Sequence, residues 1–136
     1  MRTSALFASS SAFRRLWYRD RLPRFGIDVV VAKCGLDCME RMHDLQPDIV
    51  ILDTALLWGG CEGVLALRAE DPVLQEIPFV LVDSEGISPL TYRLAQYQLQ
   101  SYLVHGPTIE ELVTTIQLLR LGICVNGIED EACVMS

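Results

Sequence analysis

Long apolar runs are missing from this chain, as is any excess of positive charge. No stretch approaches the ~20 consecutive apolar residues that a membrane-spanning helix needs, and no membrane association is expected. Eleven basic residues face eighteen acidic ones, for a net charge of −7. A surface of that sign repels phosphate backbones, which disfavours nucleic acid as a partner. The five cysteines, Cys34, Cys38, Cys61, Cys124 and Cys133, are odd in number and form no Cys-x-x-Cys pair. With His43 and His105 the only two histidines, a zinc site is poorly supplied. The cysteines read instead as reduced thiols, packed as small apolar groups in a cytoplasmic protein. Internal repeats, linkers and low-complexity tracts are absent too. Met1 to Arg19 contains no acid but four arginines and five Ser/Thr, a composition shared with organellar transit peptides. Within it, however, Ser4 to Ala8 reads as a strand that a parallel sheet would need, and the structural reading is preferred.

What is present describes a folded α/β domain. Apolar residues make up 51% of the 136 and charged residues 21%, enough for one domain with its own core. Strands are expected at Ser4–Ser9, Ile27–Ala32, Asp48–Asp53, Phe79–Asp83 and Ser101–Val104. They are short, rich in Val, Ile and Leu, and apolar without alternation, as strands covered on both faces are. Five helical segments alternate with them. The first runs from about Ala12 to Leu22 before Pro23, the second from Leu36 to Leu45 before Pro47, and the third from Cys61 to Ala69 before Pro72. Ser88-Pro89 opens the fourth, with serine as cap and proline in the first turn. Thr108-Ile109-Glu110-Glu111 opens the fifth as a capping box. Serial β-α units imply a parallel sheet with right-handed crossovers and helices on both faces. In such sheets chemistry gathers beyond the carboxyl ends of the strands. The domain is expected over residues 1–121. Residues 122–136, with the acidic cluster Glu129-Asp130-Glu131, read as a tail or short added element, too few for an output domain.

Three stretches give the chain a family likeness: Gln46-Pro47-Asp48-Ile49-Val50-Ile51-Leu52-Asp53, Pro78-Phe79-Val80-Leu81-Val82, and Ser101-Tyr102-Leu103-Val104-His105-Gly106-Pro107. In order and spacing the chain resembles the receiver domain of two-component response regulators over roughly Thr3 to Leu121. The resemblance implies a flavodoxin-like, doubly wound sheet of order 2-1-3-4-5 with five helices. It also implies that Asp53 stands where the family carries its phospho-accepting aspartate.

The residues around that aspartate depart from the family pattern. Two adjacent acids that help hold magnesium are replaced by Ser9 and Ser10, which cannot supply the anionic field that this hard cation needs. The lysine that would pair with phosphoryl oxygens is replaced by His105, shorter and mostly neutral at pH 7. The switch Thr/Ser position reads Asp83, whose carboxylate would repel a phosphoryl group, with Ser84 one residue along. The proline often found four residues after the acceptor is Leu57. Retention of Asp53 has a structural explanation, because an aspartate at a strand end can bond backbone amides. Ser9-Ser10-Ser11 could cradle an anion, although helix capping accounts for it more simply.

The expectation is therefore a degenerate receiver that is not an enzyme, binds no cofactor or metal, and acts through protein–protein contact. The alternative is a phospho-accepting receiver that uses Asp53 with magnesium and an atypical site, with Asp83 or His105 in adapted roles, Asp83 as a replacement metal ligand among them. A flavodoxin-like cofactor binder is a further alternative, weakened by the lack of a longer phosphate-cradling loop. A protein partner or second copy is expected at the fourth helix, fifth strand and fifth helix. There Tyr92, Ala95, Leu99, Tyr102, Leu118 and Leu121 would face outward. Leu90, Leu94 and Tyr97 would pack inward on the fourth helix, as would Ile109, Leu112, Val113, Ile116 and Leu119 on the fifth. Trp58, in a glycine-rich loop after Asp53, could anchor a partner or cover the vacated metal pocket.

Overall fold

Every second residue of the central strands meets a different apolar layer, which is why their sequences carry no polar face. A computed structural model of the chain describes residues 2–56, 60–83, 101–104 and 107–122, with the side chains of 83 and 101–104 outside that description. Five strands form one sheet: β1 (Thr3–Ala8), β2 (Ile27–Ala32), β3 (Ile49–Asp53), β4 (Phe79–Asp83) and β5 (Ser101–Val104). They lie in the order β2-β1-β3-β4-β5, all neighbours parallel. This is the flavodoxin-like arrangement expected from sequence.

Helices α1 (Ala12–Arg21), α2 (Gly35–Leu45), α3 (Gly60–Glu70) and α4 (Ile109–Arg120) supply the outer layers. Helix α4 is the fifth helix of the sequence reading; the fourth, with Tyr92, Ala95 and Leu99, lies outside the described residues, as do Leu57, Trp58, Ser84, His105 and residues 123–136. On one face Leu6, Val50, Leu52, Phe79 and Leu81 pack with Cys38 and Met42 of α2 and with Val64 and Leu65 of α3. On the other, Phe7, Ile49, Ile51, Val80 and Val82 meet Tyr18 of α1, Leu22, and Leu112 and Ile116 of α4. Burying β3 on both faces, from Ile49 to Asp53, produces its unbroken apolar run.

The helix boundaries follow local chemistry. Pro23 stops α1 but permits a 3-10 turn, Leu22–Phe25, which Gly26 ends in the left-handed region at φ 81°. Helix α2 ends on Gln46, a non-glycine residue in the left-handed region at φ 45°, and Pro47, which has no N–H to donate, cannot continue the helix. Thr108 and Glu111 form the expected reciprocal capping box on α4. Leu112, Val113, Ile116 and Leu119 are buried there, Ile109 packs at the edge of the core, and Leu121 is 75% exposed. Leu118 is only partly exposed. Among the described residues no helix is long and apolar enough to cross a membrane.

Candidate functional site

Strands β1 and β3 pair with a fixed offset of 44 residues, as in Ala5 against Ile49, and this register builds the site. One residue beyond the upper end of β1 stands Ser9, fully buried, and at the upper end of β3 stands Asp53, 1% exposed. The Ser9 hydroxyl donates to Asp53 Oδ2 at 2.8 Å. Ala55 donates its backbone N–H to Oδ1 at 3.0 Å, the kind of amide bond expected of a strand-end aspartate. The buried charge also has a cationic partner. Arg14, in the first turn of α1, reaches across and places Nη1 3.0 Å from Oδ2. An isolated carboxylate at this depth would be strongly penalised, and the guanidinium offsets that penalty.

Helix α1 presents Arg14 in a set position. Ser11 caps the helix, its hydroxyl accepting from the Arg14 backbone N–H at 3.2 Å. The Ser11 N–H in turn donates to Ser9 Oγ at 3.1 Å, orienting that hydroxyl towards the carboxylate. Arg15 turns the other way, and its guanidinium donates to the Ser9 carbonyl oxygen at 2.6 Å. The Ser10 hydroxyl donates to the Lys33 carbonyl oxygen at 3.2 Å. The triple serine therefore serves three separate tasks: one carboxylate bond, one tie to β2 and one helix cap.

Tyr18, one turn beyond Arg14, packs edge-on against Phe7 and Trp17, with ring centroids 4.4 and 4.9 Å away. Burial pushes its hydroxyl up to about 12, with Arg14 acting to lower it and Asp53 to raise it. On the other side of the sheet end, the Cys61 thiol is also pushed up to about 12. Burial is the main cause, with the neighbouring Cys38 and Asp53 adding to it. Cys38 is likewise raised to about 12 by burial, so both thiols stay protonated and unreactive near neutral pH. A cleft of about 450 Å³ opens beside the site, with Phe13, Arg14, Trp17, Val82 and Ile109 among its walls.

Of the residues singled out from sequence, Ser9 and Asp53 meet directly. Ser10 lies on the same loop and bonds toward β2. Asp83 is the last residue of β4; Asp53 pairs with Val82, so Asp83 lies one residue further up the sheet. Tyr102 is the second residue of β5, opposite Leu81. Arg14 was not foreseen. The available signal was the missing acid pair itself, since a buried carboxylate without a metal needs a cation from the chain, and the first turn of α1 carries Arg14 and Arg15.

Magnesium fits this donor set poorly. Asp53 offers the carboxylate, but its Oδ2 already takes a hydroxyl and a guanidinium, and the hydroxyls of Ser9 and Ser10 are neutral donors. Among the described residues no group of three or more His, Cys, Asp or Glu could hold a metal ion.

Comparison with known proteins converges on one class. No family model matches the chain. Response regulator GacA of Pseudomonas aeruginosa is 29% identical over 99 residues, covering 71% of this chain and 45% of the relative. A protein-glutamate methylesterase/protein-glutamine glutaminase of Myxococcus xanthus is 35% identical over 122 residues, covering 86% of this chain and 33% of that protein. The chain thus spans less than half the length of these curated relatives. Among solved structures, the Vibrio cholerae chemotaxis response regulator CheY4 superposes with a TM-score of 0.78 at 16% identity, covering 86% of this chain and 98% of that one. The receiver domain of the Pseudomonas aeruginosa sensor histidine kinase PA1611, solved with magnesium in its active-site cleft, gives 0.80 at 12% identity, covering 88% and 98%. The fold is the receiver fold. Sequence similarity points the same way, to the receiver domain of two-component response regulators.

Proposed function

We propose that this receiver-type domain regulates through protein–protein contact, without magnesium-dependent phosphorylation of Asp53. The observation that carries this reading is the company of the Asp53 carboxylate: a serine hydroxyl where the family pattern puts a carboxylate, and an arginine guanidinium beside it. Phosphoryl transfer to a carboxylate relies on a metal ion to neutralise developing charge and hold the donor in line. Neutral hydroxyls at Ser9 and Ser10 do not attract that ion. Asp83 and His105, at the positions matching the switch hydroxyl and the lysine, weaken phosphate handling further.

A domain of this kind works as a docking module in the cytoplasm. Its partner, another signalling protein or a second copy, would contact the face made by the fourth helix, β5 and α4, where Leu121 is 75% exposed. Tyr92, Ala95, Leu99, Tyr102 and Leu118 would complete that surface. Intact-mass measurement after incubation with magnesium and a small phosphodonor tests the central part of the proposal. An unchanged mass is expected. A stoichiometric phosphate adduct that disappears in Asp53→Asn would establish the alternative, a phospho-accepting receiver with an atypical site.

A further inference from the structure

We infer that Arg14 is a resident counter-cation, whose guanidinium occupies the cation role at Asp53 and competes with any divalent ion for Oδ2. This rests on the reading above that the pocket does not use magnesium, and it names the group responsible. The missing acids alone would leave a weak metal site. The arginine makes it an excluded one.

The geometry supports a built contact rather than a passing one. Ser11 N–H, Ser9 Oγ, Asp53 Oδ2, Arg14 Nη1 and the Arg14 backbone N–H on Ser11 Oγ close a ring of hydrogen bonds, each between 2.8 and 3.2 Å. Because the ring passes through the helix cap, moving Arg14 away from Asp53 loosens the start of α1 as well. The acceptor is 2% exposed at its side chain and the donor 38%, so the pair is partly withdrawn from water and strengthened by the lower dielectric. A second guanidinium, that of Arg15, lies on the Ser9 carbonyl and adds positive potential to the same loop. A divalent cation arriving at Oδ2 would therefore have to displace one guanidinium and settle near another. The ion pair leaves the Asp53 charge compensated whether or not magnesium is present, and ties α1 to the end of β3.

The test restores an acid and then removes the competitor, in the full chain. Ser9→Asp sets a second carboxylate where the Ser9 hydroxyl now meets Asp53 Oδ2 at 2.8 Å. Manganese binding, read from the paramagnetic signal of the free ion, is compared for wild type, Ser9→Asp, Arg14→Gln, and the two substitutions together. Arg14→Met gives the same comparison with a purely apolar side chain, should the glutamine prove disruptive, and circular dichroism verifies folding of each variant. The double variant is expected to bind manganese at least about tenfold more tightly than Ser9→Asp alone. Affinities of Ser9→Asp that agree within about twofold with and without Arg14 would overturn the inference. Tight magnesium binding by the wild type would overturn the reading of the pocket instead. If Arg14→Gln tightened that binding further, the competitor role would survive it.

Discussion

One aspartate stands just before the lower end of strand β3 and another at its upper end, and each is bonded by a serine in or just beyond β1 and by an arginine of a helix. At the lower end, Asp48 Oδ2 accepts from the Ser4 backbone N–H at 2.8 Å and from Arg120 of α4 at 2.7 Å, while the Asp48 N–H donates to Ser4 Oγ. At the upper end, Asp53 Oδ2 accepts from the Ser9 hydroxyl and from Arg14 of α1. The serine–aspartate spacing is 44 residues in both, because one parallel register sets both. What differs is water. The Asp48 side chain is 42% exposed and that of Asp53 only 2%. The same three residue types make a surface tie at one end and a buried clasp at the other. Only the buried one stands at the carboxyl edge of the sheet, where ligands of this fold class bind.

The largest effect expected from this contrast is on stability. Arg14→Ala takes the guanidinium away from a buried carboxylate and should cost about 2–3 kcal/mol, below the full penalty because the arginine is partly exposed. Arg120→Ala at the open end should cost less than about 1 kcal/mol. Urea unfolding of both variants checks the ratio, and equal losses would break the distinction. Next in size, Ser9→Ala removes a buried hydrogen bond to a charged acceptor and should cost about 1–2 kcal/mol by the same measurement. Ser4→Ala leaves the Ser4 backbone bond to Asp48 in place and should fall within about 0.5 kcal/mol of wild type.

A smaller effect appears with pH. The backbone bond from Ser4 holds the Asp48 carboxyl below its ordinary 3.8; burial opposes this, and Arg120 assists. Its folded value is therefore lower than its unfolded one. The contribution is fully present above 3.8 and is lost as the pH falls through the depressed folded value. Asp48→Asn should flatten that part of the acid unfolding curve by less than about 1 kcal/mol, given its exposure. The smallest difference concerns salt. Raising ionic strength should erase the stability difference between Arg120→Ala and wild type while leaving most of that for Arg14→Ala, because exposed pairs are screened and buried ones much less so.

How far the sequence alone reached can be seen along these same elements. Among the described elements, the bounds expected for β2, β4 and β5 are those observed and the other expected ends lie within a residue of those observed, because apolar runs punctuated by prolines report burial on both faces directly. Thr108 and Glu111 were legible as a capping box for the same reason: the signal is local. Asp53 and Ser9 were legible as site residues through the family likeness. Arg14 was not, since an arginine in the first turn of an exposed helix looks like a solvated charge until the packing of α1 shows which way it points. Neither were Arg120 and Ser4, whose contacts with Asp48 depend on register between β1 and β3 and on the end of α4. Arg68 is another example. It is 6% exposed and bonds the carbonyl oxygens of Ile77 and Gln75, a buried structural arginine with no local mark in its sequence.

Calorimetric titration of magnesium into the wild-type protein probes the account most directly. With Asp53 already answered by Ser9 and Arg14, no saturable heat is predicted through the millimolar range. A one-to-one isotherm there, abolished by Asp53→Asn, would contradict it.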